Sequence, residues 1–273
     1  MHRVASLLGP ICAALLGVAL PASPAVGAVI LYGLSGPGSG SGTLYRIATS
    51  TGAATPIAGL SGPPVVFPTI GGLEFLGGTL YATGVYAGAS NYSFGTIDPS
   101  TGVFTAIVTQ DDSSWRGLAA NTSAGVLYTV ADVPYPYTLK SITPAGAITN
   151  IGLTGSVEGG GLAYDDAHHI LYATGSHYLY TINTSTGAAT LVGDMGFTPD
   201  PAGLAYDAAL DVLYLNDGGT NSLYRVDPGT GAATPVGANG VNATINSLPE
   251  PSVVPVLCLG GLLLGACRQI RSK

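Results

Sequence analysis

Apolar positions between residues 29 and 248 come in short runs, alternating with small or polar residues and broken by Gly, Asp, Asn and Ser. The stretch 161–193 shows the pattern most cleanly. It reads Gly161-Leu162-Ala163-Tyr164, then Ile170-Leu171-Tyr172-Ala173-Thr174, then Tyr178-Leu179-Tyr180-Thr181-Ile182, then Ala188 to Val192 after a turn from Asn183 to Gly187. β-Branched and aromatic residues bounded by turn formers predict strands, here four in antiparallel succession, designated a to d.

The pattern recurs. Gly-Leu pairs at Gly72-Leu73, Gly117-Leu118, Gly161-Leu162 and Gly203-Leu204 are spaced 45, 44 and 42 residues apart. Behind them stand Leu80-Tyr81, Leu127-Tyr128, Leu171-Tyr172 and Leu213-Tyr214. The c–d turns carry Thr51-Gly52, Thr101-Gly102, Thr186-Gly187 and Thr230-Gly231, with the degenerate Ala145-Gly146 filling the gap. A four-stranded meander repeating at about this period is the signature of a β-propeller blade. One blade cannot bury both of its faces, so blades must stack.

Five units fit. The first holds Leu31-Tyr32 in strand b and Leu44-Tyr45 in strand c but has no strand a of its own. Val236 precedes Leu248 by 12 residues, the separation of Val192 from Leu204, so Ala243 to Leu248 falls where a strand a belongs. The expected fold is therefore all-β: a five-bladed β-propeller of four-stranded antiparallel blades, its ring closed by pairing 243–248 with Val29–Leu34. The repeat argues against the alternative of a β-sandwich, and the edges left exposed argue against an open stack.

Composition narrows the picture. Gly 41 and Pro 19 argue against long helices, and 47% hydrophobic residues exclude a disordered chain. A net charge of −7 with 8 Lys+Arg excludes a nucleic-acid partner on electrostatic grounds. Cys12, Cys258 and Cys267 all lie near the termini, so residues 29–248 carry neither disulfides nor thiol chemistry.

The two ends read as addresses. His2 and Arg3 precede an apolar run from Val4 to Leu20, and Val26-Gly27-Ala28 supplies the small residues of a cleavage site, so 1–28 reads as a signal peptide cut after Ala28. Pro249-Glu250-Pro251 is followed by an apolar stretch from Ser252 to Cys267 and then by Arg268, Arg271 and Lys273. This order resembles the PEP-CTERM sorting signal of Gram-negative bacteria over residues 249–273. The resemblance implies a transient inner-membrane anchor through a C-terminal hydrophobic helix, and processing by an exosortase-type sorting protease. It also implies delivery to the cell surface or extracellular matrix. Residues 29–248 are similar to secreted bacterial propellers with Leu-Tyr-x-Ile and Thr-Gly-Ala-Ala-Thr phrases, many of them of unknown function.

No catalytic or phosphate-binding motif occurs, and no cofactor is expected. The run Gly36 to Gly42 reads as a flexible hairpin loop. His168-His169 in an a–b turn reads as an exposed polar turn, and Asp98-Pro99 and Asp227-Pro228 as Asx-type turns. Candidate binding groups collect on the d–a and b–c loops, which share one rim of a propeller. The d–a loops hold Asp111, Asp112, Trp115 and Arg116, then Glu158, then Asp194 and Asp200; the b–c loops add Asp132, Tyr135, Tyr137, His177 and Asp217. Asp111, Asp112 and Trp115 lead as ligand-binding candidates, with Arg116, Glu158 and Asp200 beside them, since carboxylates and aromatics at one mouth suit a sugar or a cation. The functional expectation is an exported, non-enzymatic interaction module with a polysaccharide or surface-protein partner. Two alternatives stand beside it: a propeller enzyme such as a lyase or quinoprotein-like oxidoreductase, and a purely structural matrix component.

Overall fold

A computed structural model describes residues 30–35, 42–61, 70–85, 92–110, 114–132, 135–200, 202–241 and 243–247. The expected signal peptide 1–28, the expected sorting segment 249–273 with the hydrophobic helix expected there, and the Gly36–Ser41 part of the glycine run lie outside these. Among the described residues no helix is long and apolar enough to cross a membrane.

Five four-stranded antiparallel sheets form the blades of a propeller. Blade 1 contains β1 (Ile30–Ser35), β2 (Thr43–Ala48) and β3 (Ala54–Gly59); blade 2 contains β4 (Ile70–Leu76), β5 (Thr79–Val85), β6 (Tyr92–Ile97) and β7 (Phe104–Gln110). Blade 3 is β8 (Trp115–Asn121), β9 (Val126–Ala131), β10 (Tyr137–Ile142) and β11 (Ile148–Gly155). Blade 4 is β12 (Leu162–Asp165), β13 (Ile170–Gly175), β14 (Tyr178–Ile182) and β15 (Ala189–Asp194). Blade 5 is β16 (Ala202–Asp207), β17 (Val212–Asp217), β18 (Ser222–Val226) and β19 (Ala233–Ala238). The last strand, β20 (Ala243–Ser247), returns to blade 1 and pairs antiparallel with β1.

Packing between blades explains the repeated phrases. The leucine of each Leu-Tyr pair is buried, fully so at Leu31, Leu127, Leu171 and Leu213. It belongs to apolar layers shared by neighbouring blades, such as the one joining Ala119, Tyr128 and Val130 to Leu162, Tyr164 and Leu171. The glycine of each Gly-Leu pair lies where innermost strands crowd at the axis: a Cβ on Gly72 would stand 2.5 Å from the backbone of Gly117 and Leu118 in the next blade.

The Thr-Gly turns lock the outer rim. Gly187 has φ +78, and a Cβ there would meet Gly152 of the preceding blade at 2.4 Å. Gly231 sits on Gly193 in the same way, and Gly52 sits on Gly237 across the seam where blade 5 meets blade 1. Each outer strand also carries a one-residue bulge at the same place, at Ile57, Ile107, Ile151, Val192 and Val236. That bulge brings the following residue under the neighbouring turn.

The ring closes as expected, but in a different register. Tyr32 pairs with Ser247 and Gly33 with Asn246, whereas in blade 5 Tyr214 pairs with Ala205 and Leu215 with Leu204. Asn246 therefore stands where counting along the chain expected Leu248, which lies outside the described residues. Backbone pairing with β1, not the length of the preceding loop, sets this register.

Candidate functional site

Antiparallel succession places the d–a and b–c loops on one rim and the a–b and c–d loops on the other. Around the axis the four Gly-Leu pairs line a narrow space, so its wall is largely backbone and leucine.

Trp115, a leading candidate, does not present its ring to the rim. It opens β8 with 0% exposure, among Leu76, Tyr81, Phe94 and Leu118 between blades 2 and 3, and its indole N–H has no partner among the described residues. The expectation of Trp115 as a ligand-binding residue at the rim is corrected accordingly. The physical reason is that the sheet starts before the Gly-Leu pair: Trp115 is already paired with Ala131 in β8, so its ring packs between blades and does not stand in the d–a loop. Asp111 and Asp112 lie outside the described residues.

Arg116 and Glu158 do come together, and Asp132 joins them. Arg116 Nε donates to Asp132 Oδ2 at 3.0 Å and Nη1 to Glu158 Oε2 at 3.2 Å. Tyr137 lies close enough for its phenol to influence the same guanidinium. Burial disfavours the charge on Arg116, but the hydrogen bond and charge of Asp132, and then the charge of Glu158, outweigh it and hold the pKa above its ordinary value. The cluster draws one residue from the rim end of each strand of blade 3: Arg116 near the start of β8, Asp132 just after β9, Tyr137 opening β10, and Glu158 beyond β11. Beside it Tyr135 is 74% exposed and meets Tyr137 edge-on, ring centroids 5.6 Å apart.

The repeat supplies its own control. The place of Arg116, just before Gly-Leu, is taken by Gly71, Gly160 and Ala202 in blades 2, 4 and 5; that of Asp132, five residues after the Leu of Leu-Tyr, by Val85, Ser176 and Gly218. Asp200 stands where Glu158 does, one blade further on, but Gly160 replaces Arg116 there. Asp200 is thus not brought to the cluster; its backbone N–H donates to Asp217 Oδ1 at 2.8 Å. Asp132 and Tyr137 were visible as rim residues, and comparing the five units position by position would have raised them above Trp115.

The opposite rim is built for structure. Asp165 Oδ2 pairs with His168 Nδ1 at 2.6 Å, while its Oδ1 accepts from the backbone N–H groups of Ala167 and His168. Burial raises the Asp165 carboxyl, but these donors outweigh it and hold the pKa below the usual carboxylate value. Asn121 Nδ2 donates to Tyr164 OH at 2.9 Å, and Asp166 accepts from Thr122 Oγ1 at 2.7 Å, so both tie blade 3 to blade 4. Asp98 and Asp227 accept from backbone N–H groups within their own turns, as Asx turns do. Among the described residues no group of three or more His, Cys, Asp or Glu could hold a metal ion.

No family model matches the sequence, and no curated protein does. Solved structures share its fold. One described as a nidogen/laminin complex superposes with a TM-score of 0.56 at 14% identity, covering 82% of this chain and 98% of that one. A protein of unknown function from Bacteroides thetaiotaomicron VPI-5482 gives 0.50 at 18% identity, covering 72% of this chain and 56% of that one. TolB from Acinetobacter baumannii gives 0.48 at 13% identity, covering 76% and 52%. The chain is a five-bladed β-propeller, and at these identities the likeness concerns the fold alone.

Proposed function

We propose that this chain is an exported, non-enzymatic interaction module acting at the cell surface or in the extracellular matrix, with the d–a/b–c rim of blade 3 as its contact surface. The observation that carries this reading is the convergence of Arg116, Asp132 and Glu158 beside the exposed Tyr135, the first two at positions where blades 2, 4 and 5 place Gly, Ala, Ser or Val. Aromatic residues and arginine are the types that dominate binding surfaces. An enzyme built on the ring would draw its reacting groups to the channel mouth, whereas the axis here is walled by the Gly-Leu pairs. Protein and polysaccharide are the two partner classes. A structure of this fold described as a nidogen/laminin complex is consistent with the first.

Export rests on the ends of the sequence. A signal peptidase would cut after Ala28, and an exosortase-type protease would recognise Pro249-Glu250-Pro251 while the 252–267 stretch holds the chain in the inner membrane. Mass spectrometry of the mature protein from its native host tests this. The expected product begins at Val29 and lacks Lys273; a mature protein that retains Lys273 contradicts sorting by tail removal. A photo-crosslinking residue at position 135 should capture a partner that the same residue at position 210, on the opposite rim, does not.

A further inference from the structure

We infer that the blade 3 rim is a binding site for neutral polysaccharide, engaging one sugar unit through a hydroxyl pair at Arg116–Asp132–Glu158 and stacking its ring on Tyr135. This deepens the proposed function and rests on it. Arg116 uses two of the five guanidinium N–H donors on Asp132 and Glu158, leaving three for a ligand. Glu158 contributes the complement: its Oε2 is held by Arg116, and its 38% exposed side chain leaves carboxylate acceptor capacity open to solvent. Donors and acceptors are thus fixed within one contact, the arrangement that a pair of adjacent hydroxyls, each able to give and accept a hydrogen bond, satisfies.

Charge selects among ligands. One guanidinium between two carboxylates leaves the cluster at net −1, on a chain of net charge −7, so a uronate or sulfated sugar is repelled and a neutral one is not. Tyr135 adds an apolar ring face held edge-on to Tyr137. Such a face matches the C–H side of a pyranose while the polar groups take its hydroxyl edge. The side chains of Arg116 and Glu158 are 41% and 38% exposed, which opens the cluster to a chain lying across the rim.

Affinity gel electrophoresis and titration calorimetry of the full chain against dextran, galactomannan and xyloglucan, with alginate as the anionic comparison, test this. Retardation by at least one neutral polysaccharide, and weaker or no retardation by alginate, is expected. Tyr135→Ala and Arg116→Gln should each weaken binding about tenfold or more, the scale of one lost ligand contact. Leu210→Ser on the far rim should bind like the wild type. At 74% exposure Tyr135 can be truncated without unfolding the blade, so its effect reads binding. Absence of binding to every neutral polysaccharide, or undiminished binding by Tyr135→Ala, overturns the assignment. If position 135 then crosslinks to a protein, the glycan assignment fails and the interaction reading stands; if it captures neither, both fail.

Discussion

Gly193 is the penultimate residue of β15 and Gly59 the last of β3, and the structure assigns them opposite responses to the same substitution. A Cβ at Gly193 would lie 1.9 Å from the carbonyl oxygen of Thr230, in the Thr-Gly turn of the next blade. Backbone on both sides must separate by more than an ångström, and overpacking of this kind costs about 1–3 kcal/mol. At Gly59 nothing among the described residues lies within 4 Å, so an added methyl meets none of them and only restricts the unfolded chain, a gain of about 0.5 kcal/mol. Gly193→Ala should therefore lower the melting midpoint by about 4–8 °C, taking about 2 kcal/mol and a domain of this size, while Gly59→Ala leaves it unchanged or slightly raised. Thermal unfolding followed by the emission of the single tryptophan, Trp115, reports both, since that ring passes from full burial to water. Equal stability of Gly193→Ala and the wild type would refute the view that turn-on-strand contacts clamp the blades together.

Three further outcomes follow from the same packing. Trp115→Ala should cost about 3–5 kcal/mol, as aromatic truncations in cores do, and native Trp115 fluorescence should resist iodide quenching; ready quenching would mean the ring is exposed after all. Asp165 has a pKa depressed in the folded state, so its contribution to stability is present above the unfolded value near 3.8 and is lost as pH falls through the lower folded value. Asp165→Asn should lose stability at pH 6 and flatten the acid side of the stability profile; a parallel profile in the variant would sink that assignment. Truncation after Gly240 removes β20 and leaves β1 with an unpaired edge, so size-exclusion chromatography should show association or aggregation in place of the wild-type peak, and an unaltered elution peak would argue against closure by β20.

Much of this architecture was legible in the residues because strands and turns are local. Leu-Tyr pairs marked the second strand of every blade, Thr-Gly marked the turn whose glycine takes positive φ, and the missing first strand of blade 1 pointed to the C-terminal segment. The candidate site was legible only in part. Arg116 and Glu158 were singled out and do meet, yet they are 42 positions apart, and nothing local says that they touch.

The sequence by itself determined the number of blades, their strand order and the closure of the ring, since each follows from a repeated pattern of apolar, aromatic and glycine residues. Tertiary structure alone decided which way Trp115 faces, which residue of β20 meets Gly33, and which charges share the rim of blade 3. A strand that starts before its Gly-Leu pair carries Trp115 into the sheet, and a closing strand takes its register from the partner it pairs with. Neither event leaves a periodic trace in the chain, because both are settled by backbone hydrogen bonds between separate segments.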